Sequence, residues 1–370
     1  MNSTSLRRIA VPGVAALALM TATACGSSNE TDSSSKSSDE KLSGTLNGAG
    51  ASSQEKAQEA WRTGFQGAND GNVTVNYDPV GSGDGRKQFN SGGVDFAGTD
   101  SYYKDDEGEL SAAKKRCGGE DIIQVPAYVS PIAVIFNVEG VDSLNLSAKT
   151  IAQIFDGKIK KWNDPAIAAE NKDAKLPDLA ITPVHRQDES GTTKNFTDYL
   201  GKAGEGAWKY EAEDAFPVKG GEAAEGTSGV VTAVTNGKGT IGYADHSQAG
   251  DLSVVNVKVG EEYVTPSAEA AAKIISASEP AETASPTNMA VDINRTTTES
   301  GVYPVVLASY LVACQHYDDA KQADLVKGYL TYVLGEEGQK AAAENAGSAP
   351  LDSAVADKAL AIVEKIAAKG

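Results

Sequence analysis

Residues 185–196 read HRQDESGTTKNF. Arg186 offers a planar fork of donors suited to an oxyanion, and Asp188 two residues on can hold that fork in place. Ser190, Gly191 and Thr192 follow where the pattern predicts a helix start. Unpaired backbone N–H groups and the positive end of the helix dipole favour an anion there. Such a stretch suits a nucleophilic serine with charged helpers, a cradle for an anion such as phosphate, or a polar turn with a surface ion pair. Ser190 lacks the G-x-S-x-G elbow of a hydrolase, and GSG at 81–83 lacks the spacing as well. His185 is a candidate base, but a lone His beside a cation is more often structural. No Walker pattern is present, so the Gly-rich turns are not a nucleotide loop of that class.

Three other loops share the design of a strand end, Gly or Ser, and a helix start: GAGASS at 48–53, VGSGDG at 80–85 and AGTD at 97–100. Taken singly, each is an ordinary helix cap. Several such termini aimed at one point would hold an oxyanion without many formal positive charges.

These loops need strands and helices to aim them. SGTLNGAG leads into SSQEKAQEAWRTGFQ, where Ser52 and Glu55 make a capping-box pattern and Ala57, Ala60, Trp61 and Phe65 fall near one helical face. NVTVNYDPV alternates as a strand, and VDFAGTD reads as a short buried strand ending in polar residues. IIQVPAYVSPIAVIFNV, interrupted by Pro126 and Pro131, suits a chain crossing from one domain to the next. YPVVLASYLVAC is a further β-prone run, followed by an Ala-rich helix over about 318–344 and a closing helix from Ser353. The fold class is α/β with two lobes, the second inserted into the first. The expected division is 42–127 with 252–370 for lobe I and 128–251 for lobe II. At 370 residues the chain is long enough for both.

The first 24 residues carry two arginines, an apolar run and small residues, the layout of an export signal too short to read as a spanning helix. The residues before Cys25 resemble the lipobox of bacterial lipoproteins, with Ala22 where Leu is usual, so Cys25 is the expected lipidation site. Residues 25–41 are Ser-rich and polar, a disordered tether. Outside the cytosol Cys117 and Cys314 could be bridged or remain buried thiols. Neither has metal-ligand spacing, and three scattered histidines make a metal site unlikely on spacing alone. The net charge of -18 argues against nucleic acid, but a small anion held by local dipoles stays open.

With these loops in order, the sequence resembles the phosphate-binding protein family of the bacterial Pst-type ABC importer over roughly residues 42–351. The resemblance rests on GAGAS, GSG followed by KQF, VDFAGTD, IFDGKIKKWNDPAI, RQDESGTTKNFTDYL, GTIGYA and GSAPL. It implies a two-lobed periplasmic-binding-protein fold of type II-like form, with inorganic phosphate in the cleft, no cofactor and no catalysis. By the same resemblance Ser52, the N–H of Ser53, Ser82, Asp100, Arg186, Asp188, Ser190, Gly191 and Thr192 line the ligand, with Asp100 the deciding carboxylate. It also implies ABC permease subunits as partners of a monomer anchored by lipid outside the membrane. Ser53 replaces a bulky apolar residue of many relatives, and Asp84 lies close to the expected anion, pointing outward if the helix start suits it. A receptor for sulfate or molybdate and an extracellular phosphoester hydrolase using Ser190 are the alternatives.

Overall fold

The computed structural model describes residues 41–370 apart from Asp106 and Ala277. The export signal, the Cys25 lipidation site and all but the last residue of the tether lie outside the described residues.

One curled, eleven-stranded mixed sheet organises the chain. Its first half sets Val73–Asp78, Gly44–Gly50 and Phe96–Thr99 side by side in parallel. Val306–Ala313 runs antiparallel beside Phe96–Thr99 and pairs on its other side with Ile123–Asn137. The second half sets Thr240–Asp245 antiparallel to the far end of Ile123–Asn137, then Thr182–Arg186 and Glu222–Ala224 in parallel. A branch of Ser253–Val259, Ser143–Leu146 and Glu262–Val264 attaches at Ile135 and Phe136.

The 15-residue strand Ile123–Asn137 therefore serves both halves, and it is buried along almost its whole length. Two prolines inside a central strand would ordinarily break the ladder. Here the register shifts opposite Ser309 and Tyr310, so that Tyr310 faces Pro126 while Ser309 faces Tyr128. The extra residue, Ala127, makes a bulge that absorbs the missing donor.

Each half has its own aromatic core. Trp61, Phe65, Phe96, Tyr128 and Tyr329 pack beneath the first half, and the Trp61 indole donates to the Gly338 carbonyl at 2.8 Å. Phe155, Phe196, Phe216 and Tyr243 pack beneath the second, the Phe196 and Tyr243 rings stacked at 4.4 Å. A buried aromatic removes about 150–250 Å² from water, so these clusters fix the strands from which the loops spring.

Two expectations need correcting. The Ala-rich stretch is two helices, Ala320–Leu334 and Glu336–Ala346, because Gly335 takes an extended conformation and lets the second pack on Glu55–Ala68. The capping box at Ser52 is not made. Ser52–Gln54 is a 3-10 turn leading into the helix Glu55–Ala68, and Ser52 spends its hydroxyl elsewhere. Cys117 and Cys314 are joined in a disulfide.

Candidate functional site

All four predicted loops, and a fifth, leave the carboxyl ends of parallel strands. That is the edge where open α/β sheets bind ligands. Gly44–Gly50 delivers Ser52 and Ser53, Phe96–Thr99 delivers Asp100, and Thr182–Arg186 ends on Arg186 itself. Val73–Asp78 leads to Ser82, the first residue of the helix Ser82–Asn90. Ser190 caps the helix Gly191–Ala203, its hydroxyl accepting from the Thr193 N–H at 3.2 Å.

Asp100 stands where the loops meet and is 3% exposed. Its Oδ2 accepts from the Ser53 hydroxyl at 2.6 Å and the Thr192 hydroxyl at 3.0 Å, and its Oδ1 accepts from Ser309 at 2.7 Å. Its own N–H donates to Ser82 Oγ at 3.1 Å. Burial pushes the Asp100 carboxyl above its ordinary value, while the three hydroxyls and the Arg186 charge pull the other way. Three converging O–H donors favour a charged acceptor over a protonated one.

Arg186, 3% exposed, donates from Nε to Asp188 Oδ1 at 2.7 Å and from Nη2 to Asp188 Oδ2. Asp188 Oδ1 also accepts from the Gly226 N–H at 3.0 Å. The Arg186 fork is thus fixed on one edge by a carboxylate, leaving Nη1, 3.5 Å from the Thr227 hydroxyl, on the other. The Tyr243 hydroxyl accepts from the Arg186 N–H at 3.3 Å and lies 2.7 Å from Thr193 Oγ1, tying the strand end to the helix.

The two halves of the sheet approach closely here. A Cβ on Gly191 would lie 2.7 Å from Ser82 Oγ and 2.8 Å from the Ser101 nitrogen, so only glycine lets the second half come this near the first. The Asn195 amide donates to the Asp100 carbonyl at 2.7 Å and to the Gly191 carbonyl at 2.9 Å, and its Oδ1 accepts from Arg295.

Two residues were invisible to sequence reasoning. Thr227 donates its N–H to Ser52 Oγ at 3.0 Å, and the two hydroxyls are also 3.0 Å apart. Its segment, EGTSG, begins the helix Gly226–Asn236 after a short strand, the same design as the other loops. Ser309 is the lone serine in the apolar strand VLASYLVA, and such an isolated buried serine was the available signal. Asp84 lies on the exposed side of its helix, 3.5 Å from Lys87. His185 stacks on Phe216 at 4.4 Å, and its Nδ1 lies 3.0 Å from the Arg186 carbonyl. Neither faces Ser190 as a base would. Among the described residues, no group of three or more His, Cys, Asp or Glu could hold a metal, and no helix is long and apolar enough to cross a membrane.

The family model described as the PBP superfamily domain matches residues 35–337. The phosphate-binding protein PstS 3 of Mycobacterium tuberculosis is 36% identical over 81% of this chain and 81% of its own length. The chain belongs to the PstS phosphate-binding protein family. PstS of Pasteurella multocida is 34% identical over 81% of this chain and 84% of its own. Among solved structures, a high-affinity periplasmic phosphate-binding protein bound with phosphate superposes with a TM-score of 0.70 at 25% identity, covering 86% of this chain and 93% of that one. The two-lobed α/β architecture is that of periplasmic phosphate-binding proteins.

Proposed function

We propose that the chain is an extracytoplasmic receptor that closes its two lobes around one inorganic phosphate and passes it to the permease subunits of an ABC importer. The observation that carries this reading is Asp100, a buried carboxylate held by three hydroxyl donors at the meeting point of the loops. Near neutral pH phosphate keeps at least one proton, which it can donate to a carboxylate. Sulfate has none and would face an unpaired like charge. A buried acceptor thus selects phosphate by penalising its isostere.

In this reading Arg186 supplies charge, Asp188 positions it, Ser52, Ser82 and Ser190 supply hydroxyls, and Thr192 turns its hydroxyl from Asp100 to the anion when phosphate takes its place on the carboxylate. Backbone N–H groups of Ser53 and Gly191 supply the rest. The name PstS in the relatives supports the transport role and, with it, a binding rather than a catalytic one. We assign residues 42–127 and 252–370 to lobe I and 128–251 to lobe II, with 253–264 lending strands to lobe II. The hinge lies at 126–130 and 244–251. Cys25 carries the lipid, and the receptor acts as a monomer.

The test is a calorimetric titration of refolded, phosphate-free protein with phosphate and with sulfate, beside a turnover assay on a chromogenic phosphoester. Saturable phosphate binding, weak sulfate binding and no turnover are expected. Tight sulfate or molybdate binding, or turnover lost on Ser190→Ala, would overturn the assignment.

A further inference from the structure

A cavity of about 270 Å³ lies in the seam beside the cradle. Asp100, Tyr102, Lys104 and Tyr310 line it from the first half of the sheet, and Lys194 and Lys202 line it from the helix Gly191–Ala203. Asp100 belongs to both spaces, so the cavity adjoins the residue on which the cradle is built.

Its charges are uneven. Lys202 is paired with Asp198 at 3.3 Å and Asp292 at 2.9 Å, and Arg295 with Asp198 at 3.1 Å. Lys104 and Lys194 are different. The Lys104 ammonium has the Tyr102 ring at 5.7 Å and, among the described residues, pairs with no carboxylate. The Lys194 side chain is only 18% exposed, yet the Glu213 carboxylate stands off at 3.8 Å, beyond hydrogen-bonding distance. A largely buried ammonium has three donors to satisfy, and a cavity wall that leaves them open calls for an anion or water.

The chain as a whole carries a net charge of -18, a field that repels an approaching dianion. We propose that the seam cavity is a capture vestibule, in which Lys104 and Lys194 hold a still-hydrated phosphate dianion before it enters the cradle. The proposal rests on the phosphate reading above. The two lysines stand on opposite sides of the seam, one beside the strand Phe96–Thr99 and one on the helix Gly191–Ala203, so lobe opening parts them and the hold is transient. Their contribution belongs to the rates of entry and exit and not to the closed complex.

Lys104→Gln, Lys194→Gln and the double variant would be compared with Lys340→Gln, a control whose side chain is 72% exposed on Glu336–Ala346. Association of nanomolar radiolabelled phosphate is followed by rapid filtration, and dissociation by a chase with unlabelled phosphate. A unit charge lost within about 6–8 Å of a dianion in water should slow association roughly fivefold at low salt, and both losses together about 25-fold. Dissociation passes back through the same vestibule and should slow by the same factor, so Kd stays unchanged. The gap should close in high salt, while the control behaves as the parent. Association within about 1.5-fold of the parent in the double variant would overturn the proposal. So would a faster dissociation with unchanged association, which would make the lysines contacts of the closed state. A parent that binds no phosphate would instead sink the reading on which the vestibule rests.

Discussion

Asp100→Asn isolates the step that is proposed to choose the anion. The carboxylate takes O–H bonds from Ser53, Thr192 and Ser309, at 2.6, 3.0 and 2.7 Å. Asparagine preserves its shape but replaces one acceptor oxygen by a donor NH₂, so at least one of those hydroxyls must turn and find another acceptor. For phosphate, the loss of a charge-assisted bond costs about 1.5–3 kcal/mol. For sulfate, removing the buried like charge is a gain, and donation from the new NH₂ adds to it. The two effects move the two affinities in opposite directions, so both narrow the ratio. The preference for phosphate should therefore narrow by roughly 2–4 kcal/mol, about 30- to 1,000-fold. The assay is calorimetric titration of parent and variant with each anion at one pH and salt concentration. The same ratio of affinities in both proteins would refute the argument, because a residue that faces the ligand cannot change from acceptor to donor without altering that ratio.

Three further perturbations test the frame around the site. Gly191→Ala puts a methyl 2.7 Å from Ser82 Oγ and 2.9 Å from Asp100 Cβ, so it should wedge the lobes apart. Phosphate affinity should fall at least tenfold with little loss of melting temperature, and unchanged binding would show that the seam yields. Asp245, at the end of Thr240–Asp245, is pushed up to about 7 by burial, against hydrogen bonds from Ser247. Its folded value lies above its ordinary one, so the native state holds the proton longer as pH rises. Stability should fall between about pH 4 and pH 7 by up to roughly 4 kcal/mol and then level off. Asp245→Asn should remove that slope in denaturant unfolding, and an identical slope in the variant would place the titration elsewhere. Replacing both Cys117 and Cys314 by Ser opens a loop spanning 197 residues. On the chain-entropy account this costs about 5 kcal/mol, read as a lower denaturation midpoint, and a shift under about 1 kcal/mol would mean native contacts alone set the stability.

The loops of the site were legible because each pairs a strand end with Gly, Ser or Thr at a helix start, a local pattern. Arg186 and Asp188 were legible for the same reason, being two residues apart. What escaped was set by distance along the chain. Ser52 looked like a cap because Glu55 stands three residues on, but its partner is Thr227, 175 residues away, and the tertiary bond won. Ser309 completes the hold on Asp100 from 209 residues away, inside a strand whose pattern reads only as core. The break at Gly335 was lost in an otherwise helical run, because nothing local shows that Glu336–Ala346 must turn to pack on Glu55–Ala68.

Arg186 brings a positive charge to the cradle, but its Asp188 partner neutralises it in place and Asp100 adds a further carboxylate, so the cradle holds no net positive charge and its donors are mostly hydroxyls and backbone N–H groups. Affinity for an anion on a chain of net charge -18 must then come from oriented dipoles in a dry seam, where each hydrogen bond is stronger than in water. Dryness requires closure, and closure has its own contacts. Arg86 reaches Asp214, while Ser101 donates to the other oxygen of the same carboxylate at 2.9 Å. Burial alone would raise the Asp214 carboxyl, and the Arg86 and Lys194 charges overcome it, leaving it below its ordinary value. On the other flank Arg295 donates to Asp198 and Asn195 of the helix Gly191–Ala203. These two clasps tie the proposed lobes together beside the cradle through protein contacts alone. In the proposed closure an anion shifts the equilibrium only by its differential contact with the closed form, and contact with Asp100 is where phosphate and sulfate would differ.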